Sequence, residues 1–188
     1  MSDKQSASQE FVTITLNARL QPIHRGELED ALAQVLGAHS IGEICGGGSL
    51  LTDGGEVSEC DIEIIATDTS PQAIEHIISF LERALAPKGS KLRIGDQVTL
   101  FGKHEGLALY LNGTDLPDEV YENSDINHVV DQLAKLLGQE GMMHSHFDGE
   151  TETALYYYGS NFNTMHQLIK PFIDSYLLCQ QCRVVQIA

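Results

Sequence analysis

The chain has 188 residues, 42% of them hydrophobic, which is enough for one large domain or two small ones with a packed core. Its 27 acidic residues against 11 basic ones leave a net charge of −16, which repels phosphates and anionic lipids and so argues against nucleic acid and membrane surfaces as partners. No apolar run approaches the roughly 18 residues that cross a bilayer, and MSDKQSASQE lacks the apolar core of a signal peptide, so we expect a cytoplasmic protein.

The first half of the chain predicts a βαββαβ succession. Residues 1–10 are polar, and we expect them to be a disordered tail. Apolar alternation, turn residues and helix caps then give the following elements. They are a strand over 11–18, a helix over 24–37 ended by Gly37, a hairpin turning at Asp53-Gly54-Gly55, a helix begun by Ser70 and Pro71, and a strand over 91–94. The glycines at 46–48 predict a β-bulge in the hairpin.

The second half repeats this order after an extra strand predicted over 97–103. It differs from the first half by an insert, GTDLPDEVYENSD, over 113–125. Its predicted elements are a strand from Gly106, a helix ending at Gly138, a hairpin turning at Asp148-Gly149, a helix capped by Asn161 or Asn163, and a strand over 183–187. The run Tyr156-Tyr157-Tyr158 would place phenol groups on both faces of the sheet.

Matching helical stripes indicate that the halves are copies at a spacing of roughly 90 residues. Leu28, Leu32 and Leu36 in the first half correspond to Ile126, Val130 and Ala134 in the second. We therefore predict an α+β fold of tandem duplicated ferredoxin-like units, 11–101 and 102–188, with antiparallel sheets and helices on one face. Two such units in one chain suggest a pseudo-symmetric monomer, and whether the protein is a monomer or a homodimer stays open.

The negative charge is divided equally, eight net charges in each half, so it serves either solubility or docking of a basic protein. The insert concentrates acids around one aromatic side chain, a combination suited to steering and anchoring an Arg/Lys-rich partner. The candidate partner-binding residues are Asp115, Asp118, Glu119, Tyr121 and Glu122 of the insert, with Asp53, Glu56 and Glu59 of the acidic hairpin.

No group of residues forms a catalytic signature, and we predict neither a metal nor a cofactor. His144 and His146 lie two apart on a predicted strand, so both would point to one face as metal ligands do, but a third ligand is not evident. Cys179 and Cys182 follow a helix C-terminus, where the dipole disfavours a reactive thiolate. We expect these two and Cys45 and Cys60 to be thiols.

On the residues GGGSLLTDGGEVSECDIEI, the acidic insert and the segment ETALYYYG, the chain resembles small acidic bacterial immunity proteins that neutralise toxins. That resemblance implies a non-enzymatic protein whose acidic surface blocks the basic catalytic cleft of a toxin or enzyme.

Two other functions remain open at this point. Paired ferredoxin-like units also serve as small-molecule-sensing regulatory modules that bind ligands between the copies. The third possibility is a metal-dependent enzyme with its site between the units, using His144, His146 and Asp148.

Overall fold

The computed structural model describes residues 9–188, so most of the predicted tail lies outside the described residues. The predicted strands and the four predicted helices occur in the predicted order, and a short helix in the insert and a 3-10 turn are additional. They are β1 (Glu10–Leu16), α1 (Pro22–Ala38), β2 (Gly42–Leu51), β3 (Val57–Ala66), α2 (Pro71–Arg83), β4 (Ser90–Ile94), β5 (Gln97–Phe101), β6 (Glu105–Asn112), α3 (Asp118–Asn123), α4 (Ile126–Leu137), β7 (Gly141–Asp148), β8 (Glu152–Gly159), α5 (Phe162–Ile173), a 3-10 turn (Leu177–Cys179) and β9 (Arg183–Gln186).

The strands form two antiparallel sheets, in the orders β2-β3-β1-β4-β5 and β7-β8-β6-β9. Without β5, both sheets have the order that a βαββαβ unit gives when its first and third strands are central. The predicted fold class, a duplicated ferredoxin-like α+β protein, is confirmed. None of the helices described within 9–188 is long and apolar enough to span a membrane.

The two units also share a β-bulge at the same place. In the first sheet the register shifts between Ile44 and Gly46, which leaves Cys45 as the extra residue. In the second sheet it shifts between Met143 and Ser145, which leaves His144 as the extra residue. The bulge predicted within the glycine run lies one residue before it, because Gly46, Gly47 and Gly48 pair in regular register. The duplication reproduces this bulge in a strand without that run.

Capping side chains fix where the helices begin. The Ser70 hydroxyl accepts a hydrogen bond from the Ala73 backbone N–H at 3.3 Å, and the Asn161 side chain accepts one from Thr164 at 3.1 Å. The predicted end of α1 at Gly37 is wrong, because the helix continues to Ala38. The left-handed residue that follows is Ser40, with φ of 55°.

Two apolar cores result from this arrangement. The helices of each unit cover one face of its sheet, and we call the opposite face of each sheet its back face. β6 and β8 are buried on both faces, because the first unit packs against the back face of the second sheet. The back face of the first sheet carries exposed side chains, among them Phe11, Val98 and Leu100.

Candidate functional site

The two units meet across the back face of the second sheet. Tyr110 of β6 and Tyr156 and Tyr158 of β8 belong to the same buried cluster as the core of the first unit, and each is at most 5% exposed. The Tyr158 hydroxyl accepts a hydrogen bond from the backbone N–H of Arg19 at 2.8 Å. This bond holds the connection between β1 and α1 against the second sheet.

Glu56, at the end of the β2–β3 hairpin, is the centre of a polar network at this interface. Its Oε1 atom accepts hydrogen bonds from the hydroxyls of Tyr110 at 2.6 Å and Tyr156 at 2.5 Å. The Arg19 guanidinium forms an ion pair with the same oxygen and donates to the Tyr110 hydroxyl at 2.9 Å. One carboxylate therefore connects the first unit to two strands of the second.

The network has fixed protonation states near neutral pH. Burial raises the pKa of Glu56, but the hydrogen bonds from Tyr110 and Tyr156 and the charge of Arg19 outweigh burial and hold that pKa below its usual range. Burial and the bond to Glu56 raise the pKa of Tyr110 to about 12. The same two causes raise the pKa of Tyr156. Since no member is ready to exchange a proton near neutrality, the arrangement suits a structural link better than acid–base catalysis.

A polar recess of about 440 Å³ opens beside this network, and Glu56 and Tyr110 line it. Arg183 stacks on the Tyr110 ring at 3.7 Å and donates two hydrogen bonds, of 2.8 and 2.7 Å, to Glu152. Because Arg19 pairs with Glu56 and Arg183 pairs with Glu152, the charged groups nearest Tyr110 already have partners within the chain.

A second cleft, of about 420 Å³, lies between α1, the end of α2 and β7, and it is mostly apolar. A narrow recess of about 20 Å³ shares several of its walls and reaches Tyr158. Clefts of this size and character are typical of small-molecule sites. The apolar walls include Leu20, Leu28, Ala31, Phe80, Leu85 and Met143.

His144, the bulge residue of β7, lines both the apolar cleft and the narrow recess. Burial, together with the nearby His104 and His24, lowers the pKa of His144 to about 4. Its Nε2 atom is buried and has no hydrogen-bond partner within 9–188, and its ring lies edge-on to Tyr158 with the centroids 5.6 Å apart. At neutral pH the cleft therefore contains an uncharged imidazole.

Ser145 joins α1 to β7 beneath this cleft. Its hydroxyl oxygen accepts a hydrogen bond from the Gln21 backbone at 3.1 Å and lies 3.1 Å from Nδ1 of His24. A hydroxyl beside an imidazole is the arrangement of a nucleophile and its base. However, Ser145 is 1% exposed, and the ring near His24 is His146 rather than a carboxylate. Ser145 is therefore a buried contact between the units and is not accessible to a substrate, although His24 lines the cleft.

The insert predicted to bind a partner contains the short helix α3. The Tyr121 hydroxyl accepts a hydrogen bond from the Leu116 backbone at 3.0 Å and donates one to the Asn112 carbonyl at 3.3 Å. Tyr121 therefore fastens the insert to the second core, which it partly enters. The acidic residues of the insert, Asp115, Asp118, Glu119 and Glu122, are exposed and line neither cleft.

The acidic residues of the hairpin lie in different environments. Asp53 is exposed at its tip and lines the polar recess with Glu56. Glu59 is partly buried on β3. Glu56 accepts its hydrogen bonds from inside the chain, so this carboxylate is not presented on an acidic surface as the sequence predicted.

The prediction that His144 and His146 point to the same face of a regular strand is wrong, because His144 is itself the extra residue of a bulge. Regular alternation is interrupted at His144, after which Ser145 pairs with Tyr156 and His146 with Leu155. Within residues 9–188 no group of three or more His, Cys, Asp or Glu residues is arranged to hold a metal ion.

The cysteines are free thiols, as expected. Burial raises the pKa values of Cys60 and Cys179 to about 12, which makes both poor nucleophiles.

Sequence reasoning missed the inward position of Glu56 and the burial of His144. One signal pointed to the interface where both residues lie: β6 and β8 are nearly continuous apolar runs, which is typical of strands covered on both faces. Those runs locate the interface between the units, while the bulge at His144 is visible only by comparison with its counterpart at Cys45.

No protein-family model matches the chain, and no curated protein matches it in sequence. Among solved structures, a proposed monooxygenase from Lactobacillus acidophilus is 12% identical, with 96% of this chain and 95% of that chain covered and a TM-score of 0.30. The regulatory subunit of aspartate kinase from Thermus flavus is 11% identical, with 86% and 94% covered and a TM-score of 0.28. An anthrone oxidase-like protein is 12% identical, with 89% and 78% covered and a TM-score of 0.24.

These findings correct the predicted function of an immunity protein. The three structures named above are a proposed monooxygenase, a regulatory subunit and an oxidase-like protein, and none of these three is an immunity protein. The structure adds a physical reason, since Glu56 and Tyr121, two of the predicted contacts, use their polar groups within the chain. At such low similarity the likeness concerns the fold and transfers no activity.

Proposed function

We propose that this chain is a small-molecule-binding regulatory protein whose ligand lies in the apolar cleft between the two units. The observation that carries the proposal is the mostly apolar cleft itself, whose wall includes the uncharged imidazole of His144. A ligand there would touch α1, α2 and β7 together, so binding would change how firmly the units hold each other.

The cleft favours a neutral, largely apolar ligand with one polar group. Besides His24 and His144, its lining contains one acid, Glu27, and one arginine, Arg83, so neither charge dominates. A neutral histidine both donates and accepts hydrogen bonds, and it gives a polar atom of the ligand one defined partner. A strongly anionic ligand would also be repelled by the net charge of −16.

The test uses N-phenyl-1-naphthylamine, a neutral apolar dye that fluoresces in dry cavities. We expect saturable fluorescence with the wild-type protein. Ala31 lines the cleft, so A31F should fill it and raise the dissociation constant of the dye by about tenfold or more.

Ala33 provides the matched control, because it is exposed on the same helix and does not line the cleft. A33F adds the same side chain to the same element and should bind the dye as the wild type does. Equal weakening by A31F and A33F, or no saturable binding by the wild type, would contradict the proposal.

A further inference from the structure

The back face of the first sheet is left open by the fold. The corresponding face of the second sheet is buried against the first unit, but here Phe11, Val98 and Leu100 are 63%, 54% and 74% exposed. Val98 and Leu100 are neighbours on β5, and Phe11 lies two strands away on β1, so this face presents exposed apolar side chains together with charged ones, a combination that indicates an interaction surface.

The register shows an ordered pattern across this face. Thr13 of β1 pairs with Glu63 on one side and Arg93 on the other, and that row ends in Gly46 and Val98. The next row on the same face has the same order of chemistry: Gly48, Asp61, Thr15, Lys91 and Leu100. Each row therefore carries, from β2 to β5, a glycine, an acid, a threonine, a base and an aliphatic side chain.

Such a row is complementary in charge and size to a second copy of the same row that runs in the opposite direction. Two sheets that pack face to face keep their strands within about 30° of each other. A two-fold axis parallel to β1 would then lay the rows of a second copy over these rows in the opposite order. Acid would lie on base, base on acid, threonine on threonine, and aliphatic side chains on glycine. An axis across the strands would instead place base on base.

Two further observations favour this arrangement. The charged groups of the face, Asp61, Glu63, Lys91 and Arg93, make no ion pair and no side-chain hydrogen bond in the described part of the chain. Nothing lies within 4 Å of a Cβ added at Gly48, so there is open space where the partner's Leu100 would pack. A Cβ added at Gly46 would lie 2.7 Å from the Glu63 carboxylate, so in the dimer this side chain must swing toward the partner's Arg93 to admit the partner's Val98. We propose that the chain forms a homodimer through the back face of its first sheet, with Glu63 on the partner's Arg93 and Asp61 on the partner's Lys91.

The proposal predicts a specific behaviour of charge-reversal variants. E63R places two bases opposite each other in a homodimer, and R93E places two acids opposite each other. Each variant alone should raise the dimer dissociation constant by about tenfold or more. When the two variants are mixed, every contact between positions 63 and 93 again joins opposite charges, so a one-to-one heterodimer should form.

The measurements are sedimentation equilibrium of each protein and native mass spectrometry of the mixture, where the two chains differ in mass. D131R and K135E on α4 make the same changes of charge at exposed positions away from this face, and they should dimerise as the wild type does. Far-UV circular dichroism checks that each variant is folded.

Three outcomes would overturn the proposal. One is a wild-type protein that stays monomeric at high micromolar concentration. Another is unchanged dimerisation of E63R and R93E. The third is a mixture of these two variants in which no heterodimer forms.

Discussion

Glu56 illustrates how much of the interface between the units depends on one side chain. Its Oε1 atom accepts from Arg19, Tyr110 and Tyr156. E56A would leave a partly buried guanidinium without its counter-charge and two hydroxyls without their acceptor. We expect E56A to lower the free energy of unfolding by about 2–3 kcal/mol, measured by urea denaturation at neutral pH.

Glu59 is the matched control, because it is an acid of the same hairpin that makes no side-chain hydrogen bond or ion pair within 9–188. E59A should change stability by less than about 0.5 kcal/mol. The pKa of Glu56 is lowered on folding, so its contribution is present above the ordinary value of 4.5 and is lost as pH falls through the lower folded value. The curves of wild type and E56A should converge in acid, and a constant difference down to pH 2 would argue against the network.

Two glycines near helix ends differ in their backbone conformation. Gly37 lies inside α1, whereas Gly138 follows α4 with φ of 54°, and neither would bring an added Cβ within 4 Å of another group. Only backbone conformation therefore distinguishes them. G37A should stabilise the protein by about 0.5–1 kcal/mol, and G138A should destabilise it by a similar amount. Urea denaturation measures both, and changes of the same sign would refute this account.

The order of elements could be predicted because its signals are local. The cap at Ser70, the turn at Asp53-Gly54-Gly55 and the apolar stripes each depend on residues within one or two helical turns. The candidate site could not be predicted in this way. Glu56 turns inward because of Tyr156, which is 100 positions away in the sequence. His144 faces the cleft because a bulge interrupts the alternation on which the sequence argument relied.

The two units differ most on the back faces of their sheets. Paired positions in the two registers place Glu63 of β3 where β8 has Tyr156, and Asp61 where β8 has Ala154. The tyrosine and alanine pack against the first unit, while the two carboxylates remain on the open sheet. The shared helix stripes and bulges preserve the fold, and the back faces determine what each unit contacts.

This shared interface predicts that the two units unfold together. The first core contains Tyr110, Tyr156 and Tyr158 of the second unit, so each unit loses part of its burial if the other unfolds. All six tyrosines lie in the second unit and the chain has no tryptophan, so near-UV circular dichroism reports largely on that unit, while far-UV dichroism reports on both. Urea transitions followed by the two signals should coincide in midpoint and slope. A near-UV transition separated from a second, far-UV step would show that the units unfold independently, which would contradict an interface held by Glu56 and the buried tyrosines.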